Sequence, residues 1–525
     1  MTVLDPRAPF PLQAPPPATP RPASSTLVLR DGDDGALEVL MLRRHAKASF
    51  MPGYFVFPGG IVDDTDRTAL ADEAAALAEP RLALPAGGFA HAVAALRECH
   101  EECGLWLGAA APGDRWLTRA LHPWAHWISP RGLAQRFDTR FFVAAAPPGQ
   151  TPAHDARETD ALCWVRPAEA LQSATLQLAF VTRRMLQSLA PYRSVAEVLA
   201  AAAAKPVLEA VHPRPCRDAQ GGAQLIDPGH PAYAEVARLD PDGGGSVRAA
   251  IVPGEPVRVA PAVWRVTAPN PGRMTGPGTN SYLLGRDGGW VVIDPGPLDD
   301  DHLATLMRLT GGAVRAVLVT HTHRDHSPAA MRLAALTGAP CVGLPPPAHG
   351  RQDDTFAPHL QPGDGQAFDW AGVRLQAVHT PGHASNHVCW WLEEAALLFT
   401  GDHLMQGSTV VIDPPDGDMA VYLDSLRGLP QRLPAMAWLA PGHGFLMGHP
   451  QRAIAHLLRH RQAREDKLLA ALTGHTLPLP ALLERVYDDV APALRPVAER
   501  SLLAHLEKLR REGRARGGAA GWALA

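Results

Sequence analysis

The stretch Thr320–Pro328, THTHRDHSP, follows the apolar run Ala316–Val319 and sets three histidines and an aspartate within six residues. A short apolar run closed by polar turn residues reads as a buried strand, so the cluster sits where a strand ends. Among 24 histidines in 525 residues some local pairs arise by chance, and the cluster gains meaning only from distant partners of the right type. Four other segments supply them: WVVIDPG (290–296), LQAVHTPGH (375–383), LLFTGDH (397–403) and AWLAPGH (437–443). Each delivers a His or Asp just past an apolar run. Neighbouring strands of one sheet place such ends along a common rim, so five segments can converge on one site.

Zinc accepts imidazole and carboxylate ligands, and a catalytic zinc site keeps one position open for water. The inventory suits two zinc or other transition-metal ions. His321, His323 and His383 offer three nitrogens to one, Asp325, His326 and His443 serve the other, and Asp402 can give one oxygen to each. Ions held in this way lower the pKa of a shared water to roughly 7 in favourable cases, which predicts hydrolysis. Asp294, ending VVID, is placed to orient a ligand histidine.

The rest of the chain reads as further α/β and α+β units. At 525 residues and 46% apolar content it exceeds a single core and should divide into roughly three or four domains. Residues 1–24 are rich in proline and lack the basic start and apolar core of a signal peptide, so a disordered lead-in is expected there. Residues 25–204 alternate strand-like runs (TLVLR, LEVLMLRR, FVFPGG, TRFFVAAA, ALCWVRP) with helical stretches at Asp66–Glu79, Phe89–Gly104 and Thr175–Leu189. Proline and glycine clusters mark 205–255 as linker and peripheral segment, ahead of the histidine-bearing domain at 256–450. A tail at 451–525 carries apolar spacing for three helices.

A net charge of −4 gives no whole-chain field toward nucleic acid or membrane. Six scattered cysteines fit a reducing compartment, the cytoplasm. No apolar run approaches the ~18 residues of a spanning helix, so no membrane partner is expected. The basic end, Lys508, Arg510, Arg511, Arg514 and Arg516, reads as a phosphate contact or as a solvated helix terminus whose cations meet the negative pole of the helix dipole.

The helix ALRECHEECGLWL raises a separate question, because Glu98, Glu101 and Glu102 lie at i, i+3 and i+4 on one face, where like charges repel. Arg97 can reach Glu101 across one turn. A hard divalent ion, Mg²⁺ or Mn²⁺, would gather the three carboxylates and also bind phosphate oxygens, which points to a small-molecule diphosphate.

Two resemblances sharpen these readings. HTHRDH, TPGH, TGD and APGH are similar to the successive motifs of the metallo-β-lactamase fold hydrolases from about Val257 to His449. This implies a four-layer αββα sandwich and metal-binding roles for His321, His323, Asp325, His326, His383, Asp402 and His443. The aspartate at the bridging place, Asp402, resembles the thioesterase, nuclease and phosphodiesterase branches rather than antibiotic lactamases, where Cys is common. NPGRMTGPGTNSYLLG (270–285) and the helical tail are similar to the β-lactamase-like protein 2 group. That implies a winged-helix-like carboxy-terminal segment and, by domain layout, a single-stranded RNA endoribonuclease.

FPGG followed by RECHEECGL resembles the Nudix box, G-x5-E-x7-R-E-U-x-E-E-x-G-U with U apolar, and matches every fixed place of its final part. Cys99 takes an apolar place and is expected in the core. The 36 residues between Gly60 and Arg97 replace the 13 of the plain pattern, an insertion similar to that of the peroxisomal coenzyme A diphosphatase group, and the isolated Glu of the box is not identified. The resemblance implies an α/β/α sandwich in which Glu98, Glu101 and Glu102 hold the metal and Arg97 fixes the helix. Coenzyme A, an acyl-coenzyme A or another nucleoside diphosphate derivative would be the substrate. The chain thus reads as a bifunctional hydrolase of a diphosphate and of an ester, thioester or phosphodiester. The other reading is a nucleic-acid-binding protein or single-stranded RNA endoribonuclease with the Nudix domain as a sensor.

Overall fold

The structure, a computed structural model, describes residues 4, 17–48, 51–68, 88–107, 120–204, 209–286, 288–348, 351–518 and 520–525. The amino-terminal body comprises β1 (Arg21–Asp31), β2 (Leu37–Arg44), β3 (Phe55–Val56), β4 (Gly59–Ile61), α1 (Asp64–Thr68), α2 (Gly88–Cys103), β5 (His122–Ile128), β6 (Phe137–Ala145) and β7 (Thr159–Val165). Helices α3 (Pro167–Gln172), α4 (Phe180–Leu189) and α5 (Val195–Ala203) follow. The strands form one mixed sheet in the order β3-β2-β1-β6-β5, with β4 paired to β1 and β7 to β2. Side chains alternate across a pleated strand. Leu27, Leu29, Val39 and Met41 therefore meet Met185, Leu186 and Val198 of α4 and α5 on one face. On the other, Val28, Leu40 and Leu42 pack on Ala92, Leu96 and Cys99 of α2. The result is an α/β/α sandwich with the carboxylate helix as one layer and Cys99 in its core.

Several limits differ from the sequence reading. Strand β1 starts at Arg21, inside the lead-in assigned to residues 1–24, because Arg21–Ser24 pair with β6 in parallel register; residues 1–3 and 5–16 lie outside the described residues. The helix expected over Asp66–Glu79 is described only as α1, and 69–79 lie outside. The helix expected from Thr175 begins at Phe180, since the Phe55 N–H donates to the Gln177 carbonyl (2.9 Å) and holds that stretch extended beside β3.

The segment read as linker and peripheral, 205–255, carries structure over its described part: a hairpin of β8 (Arg214–Arg217) and β9 (Ala223–Ile226), then α6 (Tyr233–Leu239). Glu235 of α6 is buried and accepts two hydrogen bonds from the buried Arg265 guanidinium, at 2.5 and 3.0 Å. It also accepts the Leu446 N–H (2.8 Å). A buried charge that lost this partner would be strongly destabilising, so α6 is tied into the next body.

That body has two six-stranded sheets. The first holds β10 (Pro256–Ala260), β11 (Val263–Thr267), β12 (Asn280–Leu284), β13 (Trp290–Ile293), β14 (Val314–Leu318) and β15 (Cys341–Val342), with α7 (Asp300–Thr310) and α8 (Ala330–Thr337) between its last strands. The second holds β16 (Ala367–Trp370), β17 (Val373–His379), β18 (Val388–Leu392), β19 (Leu397–Gly401), β20 (Trp438–Pro441) and β21 (Met447–Gly448), with α9 (Met419–Arg432) between β19 and β20. Tyr282, Val291 and Ile293 of one sheet meet Leu375, Trp390 and Phe399 of the other. The alternate residues face outward: Leu283 and Val292 onto Leu303, Leu306 and Leu333 of α7 and α8, Trp391 and Leu398 onto Tyr422 and Leu426 of α9. This is a four-layer αββα sandwich.

The tail contains α10 (Pro450–Leu472), α11 (Leu479–Val486) and α12 (Arg495–Arg511), the three helices given by the apolar spacing, and a hairpin of β22 (Ala515–Gly518) and β23 (Gly521–Leu524) that supplies the wing of the expected winged-helix-like segment. Trp522 of the hairpin packs with Leu468, Leu482 and Leu506, giving a small winged-helix core. Among the described residues no helix is long and apolar enough to cross a membrane.

Candidate functional site

In the four-layer body the ends of β13, β14, β17, β19 and β20 lie along one rim and deliver Asp294, the Thr320–His326 loop, His383, Asp402 and His443. The two sets of residues drawn from the sequence come together. His323 Nδ1 lies 2.9 Å from His321 Nε2 and 3.1 Å from His383 Nε2. His443 Nε2 lies 3.3 Å from Asp325 Oδ2, and His326 Nε2 lies 3.6 Å from the same oxygen. Asp402 stands between the sets: Oδ1 is 3.5 Å from His326 Nε2 and 3.4 Å from His443 Nε2, while Oδ2 is 3.8 Å from His383 Nε2. Three ligand groups could each hold an ion: His321, His323 and His383; His321, His326 and Asp402; Asp325, His326 and His443.

The chemistry of these donors can be tested against a metal. Bonds of about 2.0–2.1 Å in a tetrahedron put neighbouring donor atoms roughly 3.3 Å apart, close to the separations seen here. Moreover, His326 Nε2, His443 Nε2 and Asp402 Oδ1 are buried and have no hydrogen-bond partner among the described residues. Native interiors rarely leave such atoms unsatisfied, and a cation would satisfy all three. The residues fit.

The outer nitrogens are fixed by the fold. His326 Nδ1 meets Asp294 Oδ2 (2.9 Å), His383 Nδ1 the Val411 carbonyl (2.7 Å), and His443 Nδ1 the Gly278 carbonyl (3.2 Å). Contacts of this kind set the tautomer and turn the other nitrogen inward. Asp294 has the orienting position expected of it: it also accepts from the Thr320 N–H and hydroxyl, both at 2.7 Å, from a left-handed backbone (φ 48°) uncommon outside glycine. Close packing matters as well. A Cβ at Gly442 would stand 2.7 Å from both Asp402 Oδ1 and His326 Cε1.

Electrostatically the rim separates its members. Burial drives His321 well below its ordinary value and His323 down to about 3, each helped by neighbouring imidazoles. Burial also opposes charge on His326 and His443, yet the carboxylates win, raising His326 well above its ordinary value and His443 to about 9. Asp402 is held well below the usual carboxylate range despite burial, chiefly by His443 and His326.

The second site lies on α2. Glu102, buried, accepts the Gly59 N–H (2.9 Å). Arg97 donates to Glu98 Oε1 and Glu101 Oε2, both at 2.9 Å, and to the Ile61 carbonyl (2.9 Å). Burial raises Glu98 and pushes Glu102 up to about 8, with repulsion from Glu101 adding to the first and from Glu98 to the second. One shared guanidinium leaves this acidic face short of positive charge, which a divalent cation with oxygen ligands would supply. Gly60 packs against it: a Cβ there would meet the Glu98 carboxylate at 2.3 Å.

Asp66 was missed from sequence. It is buried and binds the Arg97 guanidinium through both oxygens, at 2.9 Å each. Its signal was present, since Asp66 stands six residues after Gly60, the place of the isolated Glu in the box pattern, with the shorter acid in its stead.

Comparison with known proteins agrees with both halves. Residues 19–189 match the NUDIX domain, 274–475 the metallo-beta-lactamase superfamily, and 479–522 the beta-lactamase associated winged helix domain. The "Beta-lactamase-like protein 2 homolog" of Drosophila melanogaster is 30% identical over 285 residues, 49% of this chain and 91% of that protein. The "Atrochrysone carboxyl ACP thioesterase" of Aspergillus chevalieri is 32% identical over 222 residues, 41% of this chain and 67% of that protein. Among solved structures, a metallo-beta-lactamase family protein from Thermus thermophilus aligns with 51% of this chain and 100% of its own (25% identity, TM-score 0.43). A NUDIX hydrolase from Alicyclobacillus acidocaldarius aligns with 35% of this chain and 96% of its own (26% identity, TM-score 0.30). Both families imply divalent metals and small-molecule substrates. The chain is a hydrolase of the metallo-β-lactamase superfamily that carries a NUDIX domain ahead of its four-layer body and a winged-helix domain behind it.

Proposed function

We propose that the chain is a cytoplasmic bifunctional metallohydrolase with a NUDIX domain that begins with β1 at Arg21 and runs to 204, a metallo-β-lactamase-fold domain at 256–450 and a winged-helix tail at 451–525. One activity cleaves a small diphosphate, coenzyme A or another nucleoside diphosphate derivative; the other cleaves an ester or thioester. The observation that carries the second activity is the position of Asp402, its two oxygens facing opposite histidine sets and one of them buried without a partner.

In the second centre His321, His323 and His383 would hold one zinc ion, Asp325, His326 and His443 the other, and Asp402 both. Two such cations supply Lewis acidity and a water of lowered pKa. The protein's own share is orientation: Asp294 and the carbonyls of Val411 and Gly278 fix which imidazole nitrogen faces inward. In the first centre Glu98, Glu101 and Glu102 would hold Mg²⁺ or Mn²⁺, which neutralises charge on a diphosphate. Arg97, locked by Asp66, orients Glu98 and Glu101.

The thioesterase name of the Aspergillus relative supports the thioester branch. Against single-stranded RNA as the substrate stands the state of the basic tail. Lys508 pairs with Glu465 (2.7 Å), Arg510 with Glu507 (2.5 Å), Arg511 with Asp418 (2.6 Å) and Arg514 with Glu465 (2.6 Å), so these cations are occupied. A panel of acyl-coenzyme A, nucleotide sugars, hydroxyacyl-glutathione and single-stranded RNA tests the reading on wild type, His323→Ala and Glu101→Gln. Thioester turnover lost only in His323→Ala and diphosphate turnover lost only in Glu101→Gln is the expected pattern. RNA cleavage as the dominant activity would overturn it.

A further inference from the structure

A cavity of about 340 Å³ opens beside His443 and Val411 and is roofed by the carboxy-terminal domain. Its walls are mostly apolar, with Met274, Met405, Leu494 and Val497 among them, and two of these, Met274 and Leu494, are large side chains exposed to solvent. Into the same cavity α10 presents Arg461. That side chain is 2% exposed, yet among the described residues no carboxylate lies within ion-pair distance of it, and its Nε has no hydrogen-bond partner. One Nη donates to the Val410 carbonyl, and the guanidinium carbon lies 5.8 Å from the Tyr422 ring centre.

Its neighbour makes the contrast. Arg464, one turn on, donates to both oxygens of Asp489, at 2.6 and 2.8 Å, and to the Val486 carbonyl. Tyr487 and His460 also line the cavity, and among the described residues the Tyr487 hydroxyl and His460 Nδ1 are buried without partners. Burial, together with the adjacent Arg461 and Arg464, holds His460 down to about 4. An unpaired buried guanidinium is costly to keep, and a cluster of partnerless polar groups around it matches what an anion requires.

We infer that this cavity is the recognition pocket of the carboxy-terminal hydrolytic centre, where Arg461 and Tyr487 bind a single phosphate or carboxylate of a small substrate whose aliphatic part lies along Met405, Leu494 and Val497. The inference rests on the ester or thioester reading above and adds to it the substrate class: an amphiphilic anion. The linkage to the centre is short. Val410 gives its carbonyl to Arg461, and the next residue, Val411, gives its carbonyl to His383. The winged-helix domain thereby serves as one wall of a small-molecule pocket.

Equilibrium binding to the full chain tests this apart from turnover, with hexyl phosphate, hexanoate and hexanol as probes. His323→Ala serves as the background, so that binding to metal is reduced. Hexyl phosphate or hexanoate should bind at least about tenfold more tightly than hexanol, the contribution of a charged hydrogen-bonded contact. Arg461→Gln should remove that preference, Arg461→Lys should restore part of it, and Tyr487→Phe should weaken the anions several-fold while leaving hexanol unchanged. The two anionic arms tell a phosphate site from a carboxylate site. Equal binding of the anions and hexanol, an Arg461→Gln protein that keeps the preference, or a loss shared by hexanol would overturn the inference. So would an RNA oligonucleotide that binds through Arg461 where hexyl phosphate does not. Arg461-dependent anion binding without any ester or thioester turnover would leave the pocket standing and remove the proposed reaction.

Discussion

The acidic groups of the four-layer body and those of α2 meet opposite fields. Around Asp402 burial favours the neutral acid, but His443 and His326 overrule it and hold the carboxylate well below its usual range. On α2 burial prevails, taking Glu102 to about 8, because one cation, Arg97, is shared among Asp66, Glu98 and Glu101. Without a metal the rim supplies its own positive charge, on His326 and His443 beside Asp325 and Asp402. The helix face has only the shared Arg97 to set against its carboxylates. Removing cations should therefore leave the rim folded around its His–Asp contacts and loosen the helix face.

The largest expected effect would divide the two outright. His323→Ala should strip transition metal, read by elemental analysis, and lower ester or thioester hydrolysis on the order of a thousandfold with diphosphate hydrolysis intact; a parallel fall in both would break the comparison. Glu102→Gln should cost diphosphate hydrolysis roughly a hundredfold, measured by phosphate release, and spare the other reaction. Asp294→Asn keeps the shape but weakens the anchor of His326, and metal affinity should drop about 10–100-fold in chelator competition.

A pH experiment sharpens the contrast further. The folded value of Glu102 lies above its ordinary 4.5, so its contribution to stability is complete below 4.5 and is lost as pH rises through about 8, on the order of 5 kcal/mol in cation-free protein. Mg²⁺ should consequently raise the melting temperature of the NUDIX transition more at pH 8 than at pH 6, and equal shifts would remove Glu102 from the account. The smallest effect concerns the tail: Arg511→Ala breaks a half-exposed pair with Asp418 and should cost no more than about 1 kcal/mol by denaturant titration.

Much of this was legible because the informative groups sit within a few residues of an apolar run. His321–His326, His383 and His443 announce themselves at strand ends, and the glutamates of α2 at helical spacing. Asp66 did not, since its partner Arg97 is 31 positions away and an Asp stands where Glu was sought. The 209–255 segment misled through composition: its prolines and glycines describe turns, while the buried Glu235–Arg265 pair that anchors it spans 30 residues and has no local signature. The tail hairpin was hidden from the apolar spacing for the same reason, its strands being ARGG and GWAL, where glycine dilutes alternation. Arg461 reads as an ordinary helix residue until the fold deprives it of a carboxylate.

Gly442 carries a further consequence. With a side-chain atom there colliding with Asp402 and His326, the floor at that point is main chain and offers natural variation nothing to exchange. Changes of selectivity must then enter from above, through the loop at 403–412, the turn at 271–277 and the face of α10. An engineer seeking new reactivity would randomise those three and leave the base untouched.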